Sequence, residues 1–135
     1  MRQLFEYHPV IGYRYIPGIK VRVPHEGGGY LMRVNGSGFR CPHEFVAAQS
    51  PGRPRVLLCG DSFSAGEGVS DGYRYGDLLE KSIPGLEVYN LALPGTGTDQ
   101  QYLAYQEFGR GLEHDLLLLG VLVENILRVK ARYRF

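Results

Sequence analysis

This 135-residue chain predicts an α/β fold, a three-layer α/β/α sandwich around a parallel sheet. Three observations lead there. After residue 55, short apolar runs alternate with amphipathic stretches of helical length. The runs are apolar almost throughout, as in strands covered by helices on both faces. The connections between them are short, as in successive strand–helix–strand units. A differently composed part precedes them. Residues 1–54 are irregular and rich in Gly, Pro, Tyr and Arg, so the chain divides into 1–54 and 55–135.

In the first part, residues 20–23 and 30–34 alternate apolar and polar side chains, with three glycines at 27–29 between them. That pattern predicts one small hairpin. Asn35-Gly36 and Ser37-Gly38 mark turns, and residues 50–54 read as a short linker. The second part opens with a strand at 55–59 that runs into Gly60, Asp61 and Ser62. A helix is predicted near 73–82, with Tyr75, Leu78 and Leu79 on one face and Pro84-Gly85 as its stop. A second strand follows near 86–91, then a turn at 94–97. The next helix starts at Thr98, which stands three residues before Gln101, the spacing of a capping box. Its apolar face is Tyr102, Tyr105 and Phe108. The third strand is predicted at 115–121, buried on both faces.

Composition excludes several function classes. With 15 basic against 14 acidic residues, nothing favours nucleic acid or an anionic membrane surface. The longest apolar run, 116–123, is a strand's length and too short to span a bilayer. The first ten residues lack the apolar core of a signal peptide, so a cytoplasmic location is the default expectation. Of two cysteines, Cys59 is expected as a buried thiol in its strand and Cys41 in a loop, with a bridge between them disfavoured. Four scattered histidines and no CxxC or HExxH give no metal site, and no cofactor is expected.

The chemistry concentrates where three loops leave the carboxyl ends of the three strands. The first carries Ser62, the second runs from Asn90 to Gly95, and the third carries Glu124 and Asn125. In a parallel sheet all three emerge at one edge, where ligands collect. A serine thrown off a tight strand-to-loop turn is a common way to present a nucleophile. Acyl transfer also needs donors for the oxyanion, and the N–H groups of Ser62 and Gly95 with the Asn125 amide are candidates. Asp61 reads as a loop organiser that bonds nearby backbone N–H groups, and Ser64 as a structural hydroxyl. The tail basic residues, Arg128, Lys130, Arg132 and Arg134, read as a solvated face. The tyrosines of the first part are expected to cover the open side of the sheet, with a substrate cleft as the alternative.

With these blocks the chain resembles the SGNH (GDSL-type) hydrolases, which share a flavodoxin-like sandwich. Gly60-Asp61-Ser62 matches the first block of that family, Asn90 and Gly95 the second, and Asn125 the third, over residues 55–127. The segments around His8-Pro9, Gly12-Tyr13, Pro17-Gly18 and 35–40 are similar to a stretch that precedes the domain in some bacterial members. The resemblance implies Ser62 as nucleophile, Ser62, Gly95 and Asn125 as the oxyanion hole, and ester substrates such as acylated carbohydrates or lipids.

Two departures stand out. The third block reads Glu124-Asn125-Ile126 rather than Gly-Asn-Asp. The terminal Asp-x-x-His block has no counterpart, because none of the four histidines follows an Asp by three positions. His114 opens the third strand and so belongs at the far edge from Ser62, about 17–20 Å away; His8, His25 and His43 read as loop or surface residues. The chain is therefore expected to be an incomplete piece of a longer enzyme, with three strands of a larger sheet. Pairing of two copies through the third strand is the alternative. Against the esterase stand a non-catalytic binding module on the same fold and a flavodoxin-like nucleotide or phosphate binder. The last is disfavoured by Asp61 and Glu67 in the loop and by the lack of a lysine after Gly66.

Overall fold

The computed structural model describes residues 3–131 and is a mixed α/β structure. Two antiparallel hairpins come first: β1 (Phe5–His8) with β2 (Gly12–Tyr15), and β3 (Lys20–Val23) with β4 (Tyr30–Arg33). A parallel sheet follows, ordered β6-β5-β7, from β5 (Arg55–Cys59), β6 (Glu87–Asn90) and β7 (Leu116–Leu119). The connecting helices are α1 (Ser62–Ala65), α2 (Tyr75–Ser82) and α3 (Thr98–Ala104). A π-helical turn, Tyr105–Gly109, extends α3, and a 3-10 turn, Val123–Asn125, leads into α4 (Ile126–Lys130).

The period-2 alternation of β5 divides the core. Leu57 and Cys59 face one cluster, with Tyr89, Leu91, Ala104 and Leu112, joined by Ile11, Tyr15, Tyr30, Met32 and Phe39 from the first part. Val56 and Leu58 face the other, with Leu86, Val88 and, from α2, Leu79. The hairpins and the sheet thus share one core. Each fully buried Leu, Val or Ile here contributes about 1.5–3 kcal/mol. Tyr15 and Tyr30 do cover the sheet.

Several elements depart from expectation. The first hairpin is absent from the sequence reading, although Pro9-Val10-Ile11-Gly12 is a turn signal between alternating strands. Helix α3 has Gly97 as its N-cap with no side-chain cap, and Gln101 instead donates to Thr96 Oγ1 at 3.4 Å, so the Thr98–Gln101 capping box does not form. Tyr102 is exposed, and the buried side of this helix is Gln101, Ala104 and Gly109 with Tyr105 and Phe108 half-buried. Tyr75 and Leu78 of α2 are likewise half exposed, leaving Leu79 and Gly76 to meet the sheet. Strand β7 is the sharpest correction. Leu116, Leu117 and Leu119 are 40–51% exposed, because among the described residues β7 pairs only with β5 and stands at the sheet edge. Both cysteines are buried and free. Among the described residues no helix is long and apolar enough to cross a membrane.

Three buried arginines fasten loops to this frame. Arg40 spends all five N–H groups: Nε on Asp71 at 2.8 Å, Nη1 on the carbonyls of Ala65 (3.2 Å) and Gly66 (2.6 Å), and Nη2 on Leu31 (3.1 Å) and Val69. Arg74 pairs with Asp77 and donates to the Arg40 carbonyl. Arg55 lies over the Tyr89 ring, pairs with Glu87 and holds the carbonyls of Val46, Ala48 and Glu113.

Replacing Arg40 by alanine removes a partner from each of four carbonyls and from the Asp71 carboxylate, and is expected to cost about 3–5 kcal/mol in urea unfolding. Arg40→Lys recovers only part, since an ammonium cannot serve a fork of acceptors. A loss of about 1 kcal/mol or less, as for a surface pair, would contradict this role. Burial disfavours the charged form of Asp77, but the Arg74 guanidinium and the N–H groups of Gly72 and Arg74 outweigh it and hold its pKa below the usual value. The folded pKa being the lower one, the carboxylate stabilises the fold above about pH 4, and the gain is lost as pH falls from there through the folded value. Asp77→Asn should flatten the acid limb of stability against pH; an unchanged limb would assign that limb to other groups.

Candidate functional site

The carboxyl edge of the sheet is built from its central strand outward. After Cys59 the chain passes Gly60 and reaches Asp61, the N-cap of α1, whose Oδ1 accepts from the Phe63 N–H at 3.0 Å. Asp61 Oδ2 accepts from Asn125 Nδ2 at 2.9 Å, and Arg128 Nη1 stands 3.8 Å away. Asp61 is 2% exposed, so these partners replace water for its charge. It is the loop organiser that its position beside Ser62 predicts. Asn90 shapes the second loop: Oδ1 accepts from the Ala92 N–H at 2.9 Å and Nδ2 donates to the Ser64 carbonyl at 2.8 Å. Leu93 N–H then donates to the Gly60 carbonyl at 3.2 Å, which ties the second loop to the first.

Ser62 and Gly95 line one cleft of about 510 Å³ with Phe5, Tyr13, Glu67, Pro94 and Arg128. Gly95 has φ +74°, a conformation that favours glycine, and a Cβ there would lie 3.1 Å from the Tyr13 hydroxyl. That hydroxyl donates to the Pro94 carbonyl and holds the turn. Among the described residues the Ser62 hydroxyl makes no hydrogen bond, and neither the Ser62 nor the Gly95 N–H donates one. These donors remain available to whatever enters the cleft.

Asn125 is placed differently. It is 1% exposed, lies outside the cleft wall and is bonded to Asp61. Its Nδ2 keeps one further hydrogen, and its Oδ1 is buried without a partner. The structure therefore joins Ser62 to Gly95 across a cleft and joins Asn125 to the residue next to Ser62.

Of four further cleft residues, Tyr13 meets the cleft alternative for the tyrosines and Glu67 lies in the expected loop, while Phe5 and Arg128 are not expected there. Phe5 and Tyr13 come from the first hairpin, and Glu67 from the loop after α1. Arg128, read as solvated, donates to the Thr96 carbonyl at 3.2 Å and faces the cleft. Arg132 and Arg134 lie outside the described residues. The histidines are engaged elsewhere. His8 accepts from the Val10 and Ile11 N–H groups and packs on Phe108. His43 meets the Glu80 carboxylate at 2.8 Å. His25 stands against Tyr30 and Gly68. His114 bonds the Leu112 carbonyl at the amino edge, opposite Ser62, since β5 and β7 are parallel. Burial pushes the Cys41 thiol up to about 11 and the Cys59 thiol to about 12, so neither is a nucleophile at neutral pH. Among the described residues no group of three His, Cys, Asp or Glu side chains is placed to hold a metal ion.

A smaller cleft of about 240 Å³ lies on the other side of α1, lined by Asp61, Phe63, Ser64, Tyr75 and residues 120–122. Ser64 is buried there between Gly60 and Gly120 and accepts from the Tyr75 hydroxyl at 2.7 Å. No protein-family model matches this chain, and no curated protein does.

The two glycines make a test of this packing. An alanine at 120 would strike the Ser64 hydroxyl, whereas one at 60 would also lie 2.5 Å from the Ser64 Cβ. Gly120→Ala is expected to cost about 1–3 kcal/mol and to be nearly free in a Ser64→Ala background. Gly60→Ala should stay costly in both. Equal rescue of the two, measured by thermal unfolding, would show that the hydroxyl is not the point of contact.

Proposed function

We propose that this chain carries the acyl-ester hydrolase site of an SGNH-type serine enzyme, on a flavodoxin-like α/β/α sandwich. One observation carries the reading: an unbonded serine hydroxyl and two unbonded N–H groups, those of Ser62 and Gly95, share one cleft at the carboxyl edge of a parallel sheet. The 2-1-3 order of the three strands and the packing of α2 and α3 against separate core clusters support the sandwich.

In this reading Ser62 Oγ attacks the ester carbonyl carbon. The carbonyl electrons move to oxygen, and the oxyanion is met by the Ser62 and Gly95 N–H groups. Collapse breaks the bond to the alcohol oxygen, which leaves with the serine proton. Water then releases the carboxylic acid and restores the serine. Asp61 acts through position: it caps α1, fixes the backbone of Ser62 and anchors Asn125.

A second reading, a module that binds esters without turning them over, is favoured by one observation. Among the described residues no histidine is hydrogen-bonded to Ser62. An unactivated serine is a weak nucleophile at neutral pH.

Hydrolysis of p-nitrophenyl acetate by the chain and by Ser62→Ala separates these readings. For the enzyme, Ser62→Ala lowers kcat/KM by about 10³-fold or more. A rate that Ser62→Ala leaves unchanged refutes the nucleophile. Absence of turnover with retained, saturable ester binding supports the module.

A further inference from the structure

A third cleft, roomier than the one at Ser62, lies between the two hairpins. It is a groove of about 610 Å³ lined by Gln3, Leu4, Phe5, Val21, Arg22, Val23 and Pro24. Five of those seven side chains are apolar, and Gln3 and Arg22 are the polar members. Gln3 turns its amide back onto the Phe5 carbonyl at 2.7 Å, and Arg22 Nε is spent on the Gly28 carbonyl at 3.0 Å. The groove therefore offers a predominantly apolar wall with one guanidinium, that of Arg22, in its lining.

Its position links it to the serine. Phe5 lines this groove and also lines the Ser62 cleft. The ring is held there, stacked on Tyr15 at 4.7 Å and edge-on to Tyr13 at 5.5 Å, and Tyr13 itself borders the Ser62 cleft. The two cavities thus meet at one fixed aromatic side chain. An acyl chain leaving an ester carbonyl between Ser62 and Gly95 would reach Leu4, Val21, Val23 and Pro24 by passing Phe5, the residue that both linings share.

We propose that the hairpin groove is the acyl-chain subsite, and that the substrates are esters of medium-length, unbranched apolar acids rather than acetyl esters. This rests on the reading of Ser62 as the acyl acceptor. Each methylene withdrawn from water into such a wall is worth about fourfold in affinity for as long as the groove runs. The hairpins add no strand to the parallel sheet. Their contribution to the reaction is to set the length of acyl chain that fits.

Two measurements on the whole chain test the groove separately from Ser62. The first is kcat/KM for p-nitrophenyl acetate, butyrate and octanoate. The second is binding of decanoate to Ser62→Ala by titration calorimetry, which needs no turnover. The groove is filled from its exposed rim by Pro24→Trp and from its wall by Val23→Trp, with thermal unfolding as the check that each variant folds. The expected result is a rise of at least tenfold from acetate to octanoate. Pro24→Trp should lower the octanoate-to-acetate ratio of kcat/KM and the decanoate affinity at least tenfold each. A flat chain-length series with Ser62-dependent turnover overturns the groove and leaves the nucleophile standing. No turnover of any ester, with decanoate bound to Ser62→Ala and displaced by Pro24→Trp, supports the groove and overturns the nucleophile. Decanoate binding that neither tryptophan weakens overturns the groove whatever the kinetics.

Discussion

The candidate site depends first on one buried cation. The loop that follows α1 turns its carbonyls inward at Ala65, Gly66 and Val69, where that of Gly66 takes the Val69 N–H and that of Ala65 a long bond from Arg74. Where no other donor reaches, as at Val69, an unpaired carbonyl would carry a desolvation penalty of about 1–3 kcal/mol. Arg40 answers them together with the Leu31 carbonyl of β4 and the Asp71 carboxylate. The planar fork of a guanidinium suits this, because its N–H vectors leave in fixed and different directions. One side chain thus ties the second hairpin to the loop that positions Ser62. Arg74 extends the tie by donating to the Arg40 backbone and pairing with Asp77 at the start of α2. The first 54 residues are therefore part of how the serine loop holds its shape.

Within that frame the serine turn is closed from below by close packing. Ser64 fits only because residues 60 and 120 have no Cβ, and the Tyr75 hydroxyl donates to its oxygen. Asp61 is closed from the side by Asn125 and Arg128. Two neighbours of Ser62 in the turn, Asp61 and Ser64, are buried and engaged, and Ser62 between them is unbonded and half-exposed. A turn whose buried hydroxyl and carboxylate both have partners, while the hydroxyl facing the cleft has none, is organised around that exception. Structural serines in loops bond their own backbone, which Ser62 does not.

The sheet and its edge are readable from local pattern. Strand β5 is bounded to the residue, and β6 to within one residue at each end, because apolar runs flanked by Gly and Pro leave little freedom. Ser62 and Gly95 come from topology: parallel strands put their following loops at one edge whatever their separation in sequence. What sequence alone hides is tertiary. The pattern overstates the burial of β7, because a run of four leucines looks the same in a central strand as at an edge. Arg128 reads as solvated because nothing beside it in the chain announces Asp61 or the Thr96 carbonyl. Asn125 is expected to face the cleft, and its amide instead turns to a carboxylate 64 positions earlier. Long-range polar pairing of this kind leaves no periodicity behind.

Charge in the cleft bears on which chemistry it suits. Glu67 and Arg128 both line it, and Asp61 sits behind Ser62 with its charge already shared between Asn125 and Arg128. A phosphate arriving here would meet the Glu67 carboxylate and compete with Asp61 for the Arg128 guanidinium. Two negative charges on the ligand would face a cation that is already committed, an arrangement that costs rather than gains energy in a partly desolvated site. A neutral ester carries no such penalty. Under the proposed reaction its carbonyl would need only neutral N–H donors, such as those of Ser62 and Gly95, and the negative charge would arise on that oxygen only as a bond to serine formed. A cleft whose cation is shared with Asp61, beside an acidic Glu67 and two unbonded amides, suits an electrophile that becomes anionic better than one that arrives so. The apolar walls that join this cleft at Phe5 point the same way, since they favour a ligand whose bulk is hydrocarbon.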